Sequence, residues 1–411
     1  MIIFLKIFIF VIPLTSSQIN NACKNFESYF NIYFSSDCFY IPDNHLSAPE
    51  IIKHHVGVFE HHKVTTEDGY ILGLFRIPRI NPKGVILLQH GFVQDATCWV
   101  SQYNKSIAFW FWNAGYDVWM TNSRGTFYSK KHINLTSSDE EFWNFTFHEI
   151  GYYDLDAVIK HIKLATNRSK LIILANSMGF TSSLVYASMK CEQAAENVQI
   201  LIGLAPVWSL KYTKSLHKWI TFPYVHFILK SGLNRVINWY SFPEHDEWML
   251  WSIRLFNKIF PFKKLYVYLE SLFYGWSKDE LDPSFINMVI DHFGAPSSLK
   301  NYEHIYQISN YGEVRMFDYG NTNNLVTYGS ETPPPYALEN VSVPILLIYG
   351  TNDYLTQAGD IDALYQKLPE KVKVYEHQMA IDGFSHTDFY YGKHRYEMLY
   401  KKLIEFLDTL V

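Results

Sequence analysis

Three side chains, in a fixed order along the chain, carry the chemistry this sequence could perform: Ser177, then Asp353, then His386. Serine is a poor nucleophile at neutral pH and needs a base to take its proton and an acid to orient that base. Ser177 lies in Leu171-Ile-Ile-Leu-Ala-Asn-Ser-Met-Gly-Phe180, after an apolar β-branched run and before a stretch with helical spacing. That context predicts a sharp strand-to-helix turn, which holds a serine in strained geometry with its hydroxyl above a sheet. The pattern is A-x-S-x-G, with Ala175 and Gly179 flanking the serine. Small residues are required there because neighbouring elements pass close to the turn, and alanine adds only a methyl group. The competing reading of Ser177 is an ordinary turn or helix N-cap.

The downstream partners reduce that alternative. Asp353 follows the apolar run Pro344-Ile-Leu-Leu-Ile-Tyr349, at its carboxyl end, where open α/β sheets place their site residues. His386, in Asp382-Gly-Phe-Ser-His-Thr-Asp388, follows the last expected strand and precedes the C-terminal helix. A tetrahedral intermediate formed on Ser177 also needs donors for its oxyanion, one from the amide after the nucleophile and one from a loop after an early strand. Met178 is the first candidate, and Phe92, in Leu88-Gln-His-Gly-Phe92, is the second. Gly91 lets that chain turn tightly, and His90 reads as a support for the loop rather than a proton carrier.

Positioning these groups requires a sheet. Short apolar runs at Val85–Leu88, Tyr116–Trp119, Leu171–Leu174, Val198–Leu204, Pro344–Tyr349 and Val372–Tyr375 read as strands. Helical spacing over Lys105–Ala114, Tyr153–Leu164 and Ser182–Lys190 separates several of them, which predicts a mainly parallel, doubly wound sheet with flanking helices. The alternation stops after Ala205-Pro206 and resumes near Val343-Pro344. Aromatics crowd the interval: Trp208, Trp219, Phe222, Tyr224, Phe227, Trp239, Tyr240, Trp248, Trp251, Phe256, Phe260, Tyr268, Phe273 and Trp276. It reads as a helical cap inserted into the sheet domain, most of the aromatics forming its own core and a subset facing the site as an apolar channel. The expected organisation is a leader over 1–17, an N-terminal extension over 18–50, core over 51–206, cap over 207–315 and core again over 316–411.

Composition narrows the classes further. The chain of 411 residues is 48% hydrophobic and 18% charged, with 30 Tyr, 30 Phe and 11 Trp, which is globular and rich in aromatics. A net charge of −5 gives no electrostatic footprint for nucleic acid. The 17 histidines would turn that charge positive in an acidic compartment. The apolar run ending at Leu14, followed by Thr15-Ser16-Ser17, reads as a secretory signal peptide, being short for a membrane anchor, and no second long apolar stretch is present. Five sequons, at Asn104, Asn134, Asn144, Asn167 and Asn340, agree with export. Cys23 and Cys38 bracket a short aromatic segment and could pair in an oxidising compartment, while Cys98 and Cys191 read as thiols. A zinc site is not expected: there is no CxxC, and His54-His55 and His61-His62 lack a matching third ligand in the spacing. No cofactor is required.

Several ordered segments resemble the acid lipase family, whose members include gastric and lysosomal acid lipases. They are Val64-Thr-Thr-Glu-Asp-Gly-Tyr-Ile-Leu72, Leu88-Gln-His-Gly91, Thr121-Asn-Ser-Arg-Gly125, Glu141-Phe-Trp143, Tyr153-Asp-Leu155, Met316-Phe-Asp-Tyr-Gly320 and Pro334-Pro-Tyr336. The resemblance runs from about Ile51 to the C terminus. It implies an α/β-hydrolase fold with an inserted cap and movable lid, hydrolysis of triacylglycerols or sterol esters, and transient contact of the cap with a lipid–water interface. The signal peptide points to a secreted or lysosomal location. Carried over residue by residue, the nucleophile falls on Ser177, the acid on Asp353, the base on His386 and the oxyanion donors on Phe92 and Met178, with Arg124 and Glu141 structural. The family elbow commonly reads G-H-S-Q-G, so Ala175, Asn176 and Met178 are departures. They leave open a second reading, a lipid-binding protein of the same fold with weak or no turnover.

Overall fold

Runs of Val, Ile and Leu that are apolar at every position, rather than at alternate ones, belong in strands covered on both faces. Val85–Gln89, Leu171–Asn176 and Val198–Leu204 come close to this, broken only by Gln89, Asn176 and Gln199, and are buried along nearly their whole length at the centre of the sheet. The computed structural model describes residues 19–243, 260–277, 280–292, 294–374 and 379–410. The expected leader over 1–17 and the aromatics Trp248, Trp251 and Phe256 lie outside the described residues.

The main sheet contains β1 (Glu60–Thr65), β2 (Tyr70–Ile77), β3 (Val85–Gln89), β4 (Asp117–Met120), β5 (Lys131–His132), β6 (Leu171–Asn176), β7 (Val198–Leu204), β8 (Ile345–Gly350) and β9 (Met379–Ile381). Their order is β9-β8-β7-β6-β3-β4-β2-β1, with β5 paired to β2. Strands from β9 to β4 in that order run parallel, and β2 pairs antiparallel with β1, β4 and β5. The chain leaves β3 for β4 on one side and later returns to β6 on the other. A crevice therefore opens beyond the carboxyl ends of β3 and β6, the topological switch point where open α/β sheets bind ligands.

The helices follow the spacing closely. α1 (Ala48–Val56) enters through a capping box in which Ser47 and Glu50 satisfy each other's backbone amides. α2 (Ile107–Asn113) links β3 to β4. A π-turn over Ile150–Leu155 runs directly into α3 (Asp156–Thr166). α4 (Met178–Met189) is buried along almost its whole length, so it carries no polar stripe and behaves as a core helix.

Three parts of the sheet differ from expectation, the shortest being β5, a two-residue strand that was not expected. β1 and β2 were not among the expected strands, because Glu60-His-His-Lys63 and Arg76 break the apolar pattern; β1 is an edge strand whose charged residues face solvent. The strand expected over Val372–Tyr375 lies elsewhere. Val372 ends a 3-10 turn, Lys373 makes one isolated bridge to Ile345, Tyr375 lies outside the described residues, and β9 is formed by Met379–Ile381 against Ile348–Gly350.

Between β7 and β8 the chain is mostly helical. α5 (Thr221–Ser231) packs on α7 (Leu299–Tyr311), and α6 (Phe260–Tyr274) ends at the loops after β8 and β9, where the carbonyl of Tyr274 accepts from the amides of Tyr354 and His386. Phe222, Val225, Leu299, Tyr302 and Ile305 join the main core from this stretch. The N-terminal segment straps across it: Ala22–Cys23 pairs with Cys38–Phe39, Cys23 is disulfide-bonded to Cys38, Tyr29 Oη donates to the carbonyl of Pro283 at 2.8 Å, and Glu27 meets Lys264. Among the described residues no helix is long and apolar enough to cross a membrane.

Candidate active site

Ser177 occupies the single residue between β6 and α4, with φ 53° and ψ −123°. A non-glycine side chain in such a conformation costs on the order of 1–3 kcal/mol and persists only where its surroundings enforce it. They do so here: the Ser177 amide donates to the carbonyl of Leu204 at 2.8 Å, and α4 begins immediately with Met178. Gly179 packs so tightly on the loop after β3 that an added Cβ would lie 2.3 Å from the carbonyl oxygen of His90 and 2.8 Å from that of Gln89. Both obstacles are backbone. Gly179→Ala should therefore destabilise the fold by about 1–3 kcal/mol, as overpacking does, and an unchanged urea midpoint would refute this reading of the turn.

Asp353 sits after β8, buried, with its carboxylate held by the amides of Leu355 and Thr356, each 2.8 Å from Oδ1, and by the Thr356 hydroxyl on Oδ2. His386 sits in the loop after β9, its amide donating to the carbonyl of Tyr274 at 3.0 Å. The His386 Nδ1 lies 2.8 Å from Asp353 Oδ2 and Nε2 lies 2.9 Å from Ser177 Oγ. These three side chains, 209 and 33 residues apart in the chain, thus form one hydrogen-bonded line. With Nδ1 donating to the carboxylate, Nε2 is the basic nitrogen and faces the hydroxyl, which is the arrangement a serine nucleophile needs. Asp388, another acid nearby, is engaged elsewhere: it accepts from the amide of Ser385 at 2.5 Å and from the Ser277 hydroxyl at 3.0 Å.

The loop after β3 closes the other side. A Cβ on Gly91 would stand 3.2 Å from Ser177 Cβ, so the loop backbone passes directly beside the hydroxyl. His90 is fully buried, with Nδ1 2.8 Å from the Gly91 carbonyl and Nε2 accepting from the Ser123 amide at 3.0 Å; burial pushes its pKa down to about 4. Its neutral ring fastens the loop to the loop that follows β4. Met178 is the first residue of α4, so its amide has no intrahelical partner. Phe92 stands in the loop with its ring 4.5 Å from that of Tyr302.

Over Ser177 and His386 lies a cavity of about 510 Å³ whose walls include Phe92, Phe222, Tyr224, Phe242, Phe273 and Tyr302. Tyr274 stacks near His386 at 5.9 Å, and His217 also faces the cavity. Burial first, and the His386 ring second, push His217 down to about 4, so it stays neutral beside the site. His217, Tyr274, Tyr302 and Thr356 were not singled out in the sequence: the first three come from segments far from the motifs, and Thr356, three residues after Asp353, carries no spacing signal of its own.

The remaining expected residues are not gathered at the site. Asn104, Asn134, Asn144, Asn167 and Asn340 are all solvent-exposed. Cys98 is buried and Cys191 partly so. Glu141 accepts from the side chain of Asn144 at 2.9 Å on the surface. Arg124 is buried and paired with Asp68 and Asp154 at 2.6 Å each, its guanidinium 4.0 Å from the centre of the Tyr70 ring.

Comparisons with known proteins agree with this architecture. A partial α/β-hydrolase lipase region matches residues 48–103, and an α/β-hydrolase fold description matches residues 84–228. Human lipase member J is 31% identical over 361 residues, covering 85% of this chain and 95% of that protein. The rat lysosomal acid lipase/cholesteryl ester hydrolase is 31% identical over 384 residues, covering 89% and 92%. The chain belongs to the acid lipase family. A soluble variant of monoglyceride lipase from Saccharomyces cerevisiae shares the fold, with TM-score 0.52 and 15% identity over 86% of this chain and 95% of that one. In this chain, the Asp68, Arg124 and Asp154 network joins three separated family-like segments at one ion cluster around the buried Arg124, which gives their joint presence a physical reason. Such charges are tolerated inside only when paired and hydrogen-bonded.

Proposed function

We propose that this protein hydrolyses carboxylic esters of lipids, triacylglycerols or sterol esters, through an acyl-enzyme on Ser177. The observation that carries this reading is the His386 ring bridging Ser177 and Asp353 at the floor of an aromatic cavity. Ser177 Oγ attacks the ester carbonyl carbon while His386 Nε2 takes the hydroxyl proton and Asp353 holds the imidazole tautomer. The carbonyl oxygen becomes an oxyanion that accepts from the amides of Phe92 and Met178. Collapse expels the alcohol, which takes the proton from His386. Water then attacks the acyl carbon with His386 again as base, releasing the fatty acid and restoring Ser177.

The cap supplies the contact with lipid. Trp219, Ile220, Tyr224 and Phe227 are each more than half exposed, and Ile220 and Tyr224 also line the catalytic cavity. An apolar surface continuous with a cavity mouth suits transient docking on a lipid–water interface, where acyl chains can pass from the surface into the site. A secreted or lysosomal location is supported by the Cys23–Cys38 disulfide and the five exposed sequons.

Purified protein is expected to cleave triolein and cholesteryl oleate and to be labelled by a fluorophosphonate, which reacts only with an activated serine. Absence of labelling by a folded protein that still binds lipid would favour the reading of a non-catalytic carrier. Labelling with turnover of short soluble esters alone would reject the lipid substrate while keeping the serine.

A further inference from the structure

The pair His54-His55 lacks a third ligand in the linear spacing, and the fold provides one from the N-terminal extension. Asp43 lies in the 3-10 turn Pro42–His45, with its side chain 2% exposed. His54 Nδ1 is 2.8 Å from Asp43 Oδ1, His55 Nε2 contacts Asp43 Oδ2, and the three ligand groups offer atoms that all lie within 4.8 Å of one another. Consecutive residues on a helix point about 100° apart, so two adjacent imidazoles rarely reach one point. Here they converge because His54 presents its near ring nitrogen and His55 its far one.

The surroundings hold this arrangement in place. The side chain of Asn21 brackets Ile41, donating to its carbonyl and accepting from its amide at 2.7 Å each, which fixes the chain just before Asp43. Asn44 accepts from the hydroxyl of Tyr103 at 2.6 Å, and the ring of His55 rests 5.4 Å from that of Phe109. Supports of this kind set ligand orientation at metal sites. The side chain of His54 is 50% exposed, which leaves an entry path and room for water as a fourth ligand.

The geometry points to a divalent zinc site formed by Asp43, His54 and His55 with one water, tying the extension to α1. Two imidazoles and one carboxylate suit zinc, whereas calcium and magnesium take oxygen ligands almost throughout. Tetrahedral zinc with bonds near 2.0–2.1 Å sets its ligand atoms about 3.3 Å apart, so the ion enters once the carboxylate shifts outward and the ligand atoms, which lie within 4.8 Å of one another, draw together around it. Zinc takes the place of the proton that each imidazole directs at the carboxylate. In a neutral ring that proton moves to the other nitrogen and none is released; an imidazolium releases one.

The test uses the full-length protein, stripped with a chelator, with Cys191 alkylated and titrated with zinc chloride at neutral pH, where imidazole binds metal. The expected result is uptake of one equivalent, a raised thermal midpoint, and visible absorption of a tetrahedral centre when cobalt(II) replaces zinc. His55→Ala and Asp43→Asn are expected to weaken zinc binding by about 100-fold or more. His54→Gln, a change at a half-exposed position that preserves folding, is expected to weaken it similarly while turnover of a soluble ester stays unchanged. Lack of stoichiometric uptake by the folded protein would overturn the site, as would undiminished uptake by His54→Gln and Asp43→Asn together.

Discussion

Ser177→Ala is expected to lower kcat on a soluble ester by about 10⁶-fold, the scale seen when a serine nucleophile is removed from an intact triad. The substitution takes away only the Oγ that His386 Nε2 faces at 2.9 Å. Alanine keeps the Cβ, so it meets the same unfavourable φ of 53° that serine already accepts, and the Leu204 carbonyl still receives the amide of residue 177. The fold should therefore be retained, with a urea midpoint close to that of the parent. Loss of turnover with loss of folding would say nothing of chemistry, so both are to be measured on one preparation. Near-normal turnover by the folded variant would end the assignment of Ser177.

Asp353→Asn is expected to cost about 10⁴-fold in kcat, through the tautomer rather than through position. The amides of Leu355 and Thr356 both point at Oδ1, so an asparagine must keep its carbonyl oxygen there and turn its NH₂ toward His386. The imidazole then has to accept at Nδ1 and carry its proton on Nε2, where it meets the Ser177 hydroxyl as a donor and no longer as a base. Solvent does not offer an alternative partner, since Asp353 is 1% exposed. The acylation burst with a nitrophenyl ester reads the step directly. A burst rate within tenfold of the parent would show that another group orients His386.

The residues of this line were legible in the chain because each stands at the carboxyl end of a strand and their order matches the winding of the sheet. Leu171–Asn176 is apolar up to its last residue and Ile345–Gly350 opens on four aliphatic residues, so their ends are sharply marked. β1 was hidden by Glu60-His-His-Lys63, since an edge strand exposed to water loses the apolar signal on which strand recognition rests. β9 was misplaced because Val372 is as apolar as a strand residue but is buried in a turn, and burial alone does not distinguish the two. His217 and Tyr274 were out of reach for a different reason. They meet His386 only because the stretch between β7 and β8 folds back over the site, and no periodicity encodes that return. The same holds for Asp43 against His54 and His55, where the third partner comes from a separate turn of the extension.

The extension also sets an order in time. Its disulfide hairpin, Tyr29 and Phe26 pack on Ile286, Ile290, Tyr266 and Val267, residues made far later on the ribosome. The Tyr29–Pro283 hydrogen bond spans 254 positions, which at roughly 5–20 residues per second means a wait on the order of tens of seconds. Cys23 and Cys38, by contrast, are only 15 residues apart and can be joined as soon as both have emerged. This segment can thus be covalently closed early and is seated late, and its apolar side chains stay uncovered until the stretch around Ile286 and Ile290 has been made.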